Sequence, residues 1–350
     1  MLTVILTLPA CHSHTPEIRA ICQRDDIGNY IIKWETNPQI NGVMKFYVSD
    51  NPNVFNMSSP AGYTHIKDGI KTYITRDNIT RKFFLLSFND KYFRTISARS
   101  VSMDSVQNLR DIGGYYSKRN RSTRWGLAFR SDKIGAISDW DSVRLDNLKI
   151  RTIIDLRTEE EAEASPIGYT KASIVHIPVS YGNVREIMER IAKGQVRKGD
   201  GVLFMQDLYL QYVTDNSGQF AKALQVFLEK KNYPILFCCS LGKDRAGFLT
   251  ALLLSILDVP EETILKDYVD SNDHIELKRY EYLIKRLSPE VQEDAQETLT
   301  VLLTANESIL DLALSKIKKD YGSIDKYLAK ELDLTEKQQS QIKDMLLFRE

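Results

Sequence analysis

The chain has 350 residues, of which 43% are hydrophobic and 27% are charged, an ordinary globular composition with ample material for a buried core. Lys plus Arg and Asp plus Glu each number 47, so the formal net charge is zero. This balance argues against bulk electrostatic capture of nucleic acid as the function. The four cysteines are too few for a disulfide framework in a chain of this length. Cys238 and Cys239 are adjacent, and adjacent cysteines rarely bridge each other, so the pair points to chemistry.

The first eleven residues are apolar, and the chain turns polar at His12. A bilayer span needs about 20 apolar residues, so this run is too short to cross a membrane. Leu8–Cys11 resembles a bacterial lipobox, although no Lys or Arg precedes the run. The resemblance implies cleavage before Cys11, lipid attachment to its sulfur, and an exported protein anchored to a cell-envelope membrane. Residues 1–16 are therefore predicted to be a signal segment, with a buried N-terminal strand as the alternative.

Residues 17–101 contain short runs of β-branched and aromatic residues separated by turn signals, without a sustained helical period. The pattern predicts a small all-β, sandwich-like domain. It resembles the immunoglobulin or fibronectin-like modules that precede catalytic domains in secreted bacterial enzymes. Nothing in it suggests a reactive site, so a spacer or docking module is expected. The strand candidates are Tyr30–Glu35, Val43–Ser49, Lys71–Thr75, Lys82–Phe88 and Tyr92–Ser97.

Strand and helix patterns alternate from residue 102 onward, which predicts an α/β domain with a largely parallel sheet over 102–350. An apolar run, Pro234–Phe237, leads into Cys239, and an apolar helix is expected over Phe248–Leu257. Residues 261–350 read as helical. The earlier elements are the strand candidate Lys149–Asp155, the acidic helical stretch Thr158–Ala164, the strand candidate Ser173–Pro178 and the amphipathic segment Gly218–Lys230.

The loop that starts at Cys239 has the features of an anion-binding site. A loop between a strand end and a helix start turns backbone N–H groups inward, and the helix N-terminus adds the positive end of its dipole. These donors lower the pKa of a thiol, so Cys239 is the predicted nucleophile. Arg245 presents a fork that holds two phosphate oxygens, and Gly242 permits a sharp turn. The predicted phosphate-binding residues are Ser240, Leu241, Gly242, Lys243, Asp244 and Arg245.

Attack by Cys239 on a phosphate ester produces a cysteinyl-phosphate, which water then hydrolyses. A Walker-type loop is excluded, because Lys243 is followed by Asp244 rather than Ser or Thr. No metal and no cofactor is predicted. The alternative to the nucleophile is a buried, inert cysteine at a strand end.

The spacing matches the Cys-x5-Arg signature of protein tyrosine phosphatases. The loop resembles that of secreted bacterial tyrosine and phosphoinositide phosphatases, which reads His-Cys-x-x-Gly-Lys-Asp-Arg-Thr-Gly. The resemblance implies a tyrosine-phosphatase-like fold and a phosphorylated protein or a phosphoinositide as the substrate. Further similar motifs follow in the family's order: Asn108–Gly114, Arg130–Ser131, Arg151–Arg157, Asp267–Asn272 and Tyr321–Leu328.

The resemblance also implies that Asp155 is the general acid, which protonates the leaving oxygen and later activates water. Alternatively, Asp155 pairs with Arg157 or caps the helix that begins near Thr158, and Asp244 is the rival acid. Lys243 is expected either to add positive charge at the rim of the loop, as in phosphoinositide phosphatases, or to be a solvated loop lysine.

Two positions depart from the family's loop. Cys238 replaces the His before the nucleophile, and Ala246 replaces the Thr after the arginine. Loss of one hydrogen bond to a charged acceptor costs about 1.5–3 kcal/mol, so hydrolysis of the cysteinyl-phosphate is expected to be slow. The alternative function is a pseudophosphatase, a membrane-anchored module that binds phosphate or lipid without turnover.

Overall fold

The computed structural model describes residues 15–25, 27–283, 285 and 287–348. Cys11 and the predicted lipobox lie outside these ranges. The described chain divides into two compact units. The first unit runs to Asn78 and resumes over Lys82–Ala98, and the second takes Ile79–Arg81 and everything from Arg99 onward.

The first unit contains two antiparallel sheets that share one hydrophobic core. One sheet has the strand order β1-β2-β5 and the other β4-β3-β6-β7. Alternate residues of β2, such as Tyr30, Ile32 and Trp34, are buried, as expected for strands that cover a core on one face. Tyr30 packs edge-on against Phe84 of the other sheet, with ring centroids 5.1 Å apart. The strands are β1 (Glu17–Arg24), β2 (Tyr30–Asn37), β3 (Val43–Ser49), β4 (Gly62–His65), β5 (Ile70–Tyr73), β6 (Phe83–Phe88) and β7 (Tyr92–Ser97).

The second unit is a mixed α/β fold around a five-stranded sheet of order β11-β10-β12-β9-β8. Its strands are β8 (Arg110–Asp111), β9 (Ala128–Ser131), β10 (Thr152–Asp155), β11 (Ser173–His176) and β12 (Ile235–Cys238). All pairings are parallel except that of β8 with β9. The register aligns Asp155 with Cys238 and Cys238 with Ser131, so three strands end at one edge of the sheet.

Helix α6 is the central helix of this unit, and nearly all of its residues are buried. It begins at Asp244, one turn earlier than the apolar pattern predicts, so Asp244 and Arg245 lie in its first turn. The helices are α1 (Asp139–Leu148), α2 (Glu159–Ala164), α3 (Val184–Ala192), α4 (Asp200–Val213), α5 (Ser217–Val226), α6 (Asp244–Ile256), α7 (Glu261–Val269), α8 (Pro289–Leu303), α9 (Glu307–Tyr321), α10 (Ile324–Lys330) and α11 (Glu336–Leu346). Of the helices within the described ranges, none combines the length and the apolar character needed to cross a bilayer.

The second unit includes two arginines that precede residue 102. Arg81 donates from Nη1 to Oδ2 of Asp111 at 2.6 Å, and both side chains are buried. The guanidinium of Arg99 lies 3.7 Å from the ring centroid of Tyr115 and donates to the carbonyl of Gly113. The compact unit therefore extends N-terminal to position 102, and a fragment that starts there lacks both arginines.

Candidate active site

Cys239 follows the last residue of β12 and is only 2% exposed. The segment Ser240–Lys243 joins this strand end to the N-terminus of α6, and Arg245 is buried in the first turn of that helix. Strand, loop and helix start thus bring Cys239 and Arg245 to one small volume. The helix N-terminus offers unpaired backbone N–H groups and a positive dipole end to an anion bound there.

The carbonyl groups of the loop are bound from outside. Nδ2 of Asn108 donates to the carbonyls of Leu241 and Gly242 at 3.2 and 3.1 Å. Nη2 of Arg130 donates to the carbonyls of Gly242 and Lys243 at 2.6 and 3.2 Å. Because the C=O and N–H of a trans peptide unit point in opposite directions, these contacts turn the following N–H groups toward the other side of the loop. That side is the predicted phosphate-binding site, which we call the phosphate cup.

Asn108, Arg110, Arg130 and Asp267 form one buried network, which we call the loop brace. Asp267 accepts from Nη1 of Arg130 at 2.6 Å and from Nη1 of Arg110 at 3.2 Å. Nε of Arg110 in turn donates to Oδ1 of Asn108. Burial alone would raise the pKa of Asp267, but the charges of Arg110 and Arg130 outweigh it and lower this pKa to about 2. The brace therefore holds an ionised carboxylate between two cations and transmits its position to the loop.

Gly242 is required at its position for two reasons. Its φ is +65°, a conformation that side-chain-bearing residues rarely adopt. A Cβ at this position would also lie 2.4 Å from the carbonyl carbon of Ser131 and 2.6 Å from the amide nitrogen of Asp132. The loop can lie this close to the end of β9 only because residue 242 has no side chain.

The guanidinium of Arg245 is held on one side by Glu161. Nη1 donates to Oε2 of Glu161 at 2.5 Å and Nη2 to Oε1 at 3.0 Å, a bidentate pair. Nη1 also lies 3.3 Å from the carbonyls of Leu156 and Val179. Nε of Arg245 is buried and has no hydrogen-bond partner among the described residues. A buried guanidinium donor without an acceptor is costly, and a phosphate oxygen would satisfy it.

Glu161 is a site residue that the sequence did not reveal. Burial would raise the pKa of its carboxyl, but the hydrogen bond and charge of Arg245 lower this pKa to about 2. Oε1 also accepts a hydrogen bond from the hydroxyl of Ser240 in the loop. Locally, Glu161 completes a capping box with Thr158 at the start of α2. That signal predicts a helix start and contains no information about a partner 84 residues away.

We expect Glu161→Gln to lower kcat/KM by about 10²-fold, because small displacements of a substrate-binding group have effects of that size. The amide keeps the shape but removes the charge that fixes the Arg245 guanidinium. Steady-state kinetics with an aryl phosphate measure the effect, and thermal unfolding checks the fold. The exposed neighbour provides the matched control, Glu160→Gln. Equal losses in the two variants would contradict the assignment.

Asp155 is engaged by Arg157 on both carboxylate oxygens. Nε donates to Oδ1 at 2.8 Å and Nη2 to Oδ2 at 2.7 Å. Asp155 is in register with Cys238, whose Sγ lies 3.9 Å from Oδ1. Since successive side chains of a strand point to opposite faces, Asp155 lies on the side of Cys238 and away from Cys239. The geometry is that of the alternative interpretation, in which Asp155 pairs with Arg157.

The thiol of Cys238 lies on the side of the strand that faces Asp155. Burial raises its pKa well above the usual value, and the negative charge of Asp155 raises it further. Cys238 therefore stays protonated and can donate weakly to Asp155.

Asp244, the first residue of α6, is surrounded by hydrogen-bond donors. Oδ1 accepts from Nζ of Lys243 at 2.8 Å and from the hydroxyl of Tyr209 at 3.1 Å. Oδ2 accepts from the hydroxyl of Tyr181 at 2.9 Å. Burial, followed by the charge of Asp244, raises the pKa of both tyrosines well above the usual value. Both hydroxyls therefore remain protonated and act as donors.

Lys243 is buried, so the alternative of a solvated loop lysine is wrong. Its ammonium donates to Asp244 and to the carbonyl of Thr304 at 3.1 Å. Its positive charge therefore acts on the site through Asp244. Ala246 is also fully buried, and its methyl group offers no hydroxyl to the nucleophile.

A family model described as the tyrosine phosphatase family matches residues 101–348. A candidate tyrosine-protein phosphatase from Cupriavidus necator is 29% identical over 238 residues, which cover 67% of this chain and 84% of that protein. A triple specificity protein phosphatase from Mycobacterium tuberculosis is 27% identical over 251 residues, which cover 63% of this chain and 90% of that protein. A tyrosine-protein phosphatase from Nostoc commune is 27% identical over 154 residues, covering 42% of this chain and 49% of that protein.

The matched region contains the whole Cys239–Arg245 loop, the brace and Glu161. The family match confirms the resemblance to tyrosine phosphatases that the Cys-x5-Arg spacing indicates. The chain belongs to the tyrosine phosphatase family and is a cysteine-dependent phosphatase of the protein-tyrosine-phosphatase type.

Proposed function

We propose that the chain hydrolyses phosphomonoesters on Cys239, with phosphotyrosine in proteins as the main substrate class. The observation that carries this proposal is the buried, unpartnered Nε of Arg245 beside a loop whose carbonyls are bound from outside. Such a site combines positive charge with a buried guanidinium donor, Nε, that has no acceptor among the described residues. A phosphate dianion matches this arrangement.

The reaction has two steps. In the first, the Cys239 thiolate attacks phosphorus, the bond to the ester oxygen breaks, and the leaving oxygen takes a proton from Asp244. In the second, water attacks the cysteinyl-phosphate, Asp244 accepts its proton, and the phosphorus–sulfur bond breaks to regenerate the thiolate. Arg245 binds an equatorial oxygen through Nε in both transition states, while Glu161 holds its terminal nitrogens. Phosphate and the free alcohol are the products.

Asp244 is favoured over Asp155 as the acid–base group. Both oxygens of Asp155 are taken by one guanidinium, which does not release protons, and its contact is with Cys238. Asp244 immediately precedes Arg245 in the first turn of α6, and its partners are an ammonium and tyrosine hydroxyls. A carboxyl at this position is suited to exchanging protons with the ester oxygen and with water.

We expect Asp244→Asn to slow poor leaving groups by about 10²-fold or more, the usual contribution of general acid catalysis, and good leaving groups much less. Asp155→Asn should lower kcat/KM equally for substrates with good and with poor leaving groups, because it removes a structural ion pair. The measurement is kcat/KM for a series of aryl phosphates of rising leaving-group pKa. If only Asp155→Asn shows the leaving-group dependence, the acid has been assigned to the wrong carboxyl.

The substrate range is tested by turnover of phosphotyrosine peptides, phosphoserine peptides and phosphoinositides beside a Cys239→Ser control. The relative from Mycobacterium tuberculosis, which is named as a triple specificity protein phosphatase, supports a substrate range wider than phosphotyrosine. Phosphotyrosine peptides are expected to be turned over fastest. Binding without turnover of any member of the panel would instead support the pseudophosphatase.

We further propose that Cys11 anchors the protein to a cell-envelope membrane and that the first unit is an immunoglobulin or fibronectin-like spacer. The apolar run before Cys11 and the two antiparallel sheets around one core support this reading. Metabolic labelling with a fatty acid should mark the protein, and Cys11→Ala should abolish the label and release the protein from membranes. Equal labelling of both forms would contradict the anchor.

A further inference from the structure

Tyr181 contacts both functional groups of the site. It lies in the connection between β11 and α3 and is half-buried. Its hydroxyl donates to Oδ2 of Asp244 at 2.9 Å, and its ring centroid lies 5.0 Å from Cζ of Arg245. Phe204 of α4 packs edge-on against the ring, with centroids 6.3 Å apart. Tyr181 is thus a loop residue, fixed by an aromatic neighbour, that links the carboxyl to the guanidinium.

The hydroxyl of Tyr181 controls one oxygen of Asp244. Oδ1 is held by Lys243 and Tyr209, whereas Oδ2 has its close hydrogen bond, at 2.9 Å, from Tyr181. The orientation of Oδ2 about the carboxyl axis therefore depends on this donor. Since burial and the charge of Asp244 raise the pKa of Tyr181, the hydroxyl keeps its proton over the working range of the enzyme.

The ring of Tyr181 packs next to the guanidinium of Arg245. Glu161 binds the two terminal nitrogens of Arg245 and makes no contact with Nε. The Tyr181 ring lies at cation–π distance from Cζ of Arg245 and is attracted to the charge. Together, the pair with Glu161 and the ring of Tyr181 restrict the movement of the guanidinium, so that Nε stays available to a phosphate oxygen.

We propose that Tyr181 is a positioning residue for the reaction, its hydroxyl orienting the Asp244 carboxyl and its ring holding the Arg245 guanidinium. The first half of this inference rests on the proposed role of Asp244 as the acid–base group. The second half rests on the anion-binding role of Arg245. The two contacts involve different parts of one side chain, so two substitutions separate them.

Tyr181→Phe removes the hydroxyl and keeps the ring, whereas Tyr181→Leu removes both. Tyr181→Phe should lower kcat/KM for a poor leaving group such as phenyl phosphate by about tenfold, because it weakens but does not remove general acid catalysis, whose full contribution is about 10²-fold or more. It should leave dinitrophenyl phosphate turnover and the inhibition constant of vanadate unchanged. Tyr181→Leu should show the same leaving-group effect and, in addition, bind vanadate several-fold more weakly. Tyr169→Phe, which loses a hydroxyl bonded to Asp146, is the matched control and should match the parent enzyme.

Each outcome decides one point. If Tyr181→Phe slows all substrates equally, its role is structural and the inference falls. If the Phe and Leu variants bind vanadate equally well, the ring does not hold Arg245. Asp244→Asn in the same assay separates the inference on Tyr181 from the proposed role of Asp244. A leaving-group effect there without one in Tyr181→Phe overturns only this inference, whereas no effect in Asp244→Asn overturns the proposed acid.

Discussion

Cys239→Ser is expected to abolish turnover of aryl phosphates, by at least about 10⁴-fold, the scale on which removal of a nucleophile acts. A serine hydroxyl does not ionise at neutral pH, so neither attack on phosphorus nor departure from it can proceed at a useful rate. Cys238→Ser should retain most of the activity, because Cys238 faces Asp155 on the other side of the strand. Because hydrolysis of the cysteinyl-phosphate is expected to be slow, rapid mixing of the parent enzyme with an aryl phosphate should show a burst of phenolate followed by a slow phase. Both phases should be absent in Cys239→Ser.

Binding experiments provide the control for this pair of variants. Cys239→Ser should still bind inorganic phosphate, because Arg245 and the loop N–H groups are untouched. Loss of both binding and turnover would indicate a collapsed loop rather than a missing nucleophile. The opposite ranking, an active Cys239→Ser and an inactive Cys238→Ser, would place the nucleophile one residue earlier and end the Cys-x5-Arg interpretation.

Asp267→Asn should both destabilise the protein and impair the loop. Removing one partner of a buried ion pair typically costs about 3–5 kcal/mol, and here two arginines lose the same carboxylate. Arg130 also binds the carbonyl of Gly242, so the phosphate cup should lose its shape. Urea unfolding measures the stability change, and phosphate binding at low denaturant measures the loop. The exposed Asp273 provides the control Asp273→Asn. Equal stability and phosphate affinity in both variants would contradict the brace.

The same carboxyl gives a pH dependence with a definite sign. The folded-state pKa of Asp267 is about 2, below its ordinary value of 3.8. A group with a lowered pKa in the folded state stabilises the protein fully above its unfolded pKa. That stabilisation should therefore be complete above pH 3.8 and be lost as the pH falls through about 2. Asp267→Asn should flatten this part of the stability profile.

Much of the loop was predictable because its information is local. An apolar strand, a cysteine, an arginine six residues later and an apolar helix are all contained in one segment of about twenty residues. The start of α6 at Asp244 was not predicted, because the polar residues of its first turn interrupt the apolar pattern. An apolar sequence pattern predicts burial only of apolar residues, whereas this turn contains buried charged residues, Asp244 and Arg245.

The remaining site residues depend on contacts between distant segments. Glu161 meets Arg245 across 84 residues, and Asp267 meets Arg130 across 137. The motifs of the brace could be recognised in order, but their order does not say which side chains touch. Asp155 is a residue whose motif was recognised but whose neighbours could not be predicted. The motif suggested a catalytic acid, whereas only the register of β10 with β12 shows that it faces Cys238.

The buried pair of Arg81 and Asp111 has a consequence for how this chain can be rearranged in evolution. Ile79–Arg81 lies in sequence between β5 and β6, yet it belongs to the catalytic unit. The N-terminal module is therefore not a removable cassette. A gene fusion or natural shortening that removes residues up to Arg81 leaves the carboxylate of Asp111 without the guanidinium of Arg81. Viable shortened homologues should carry either a replacement cation near this position or an uncharged residue in place of the aspartate.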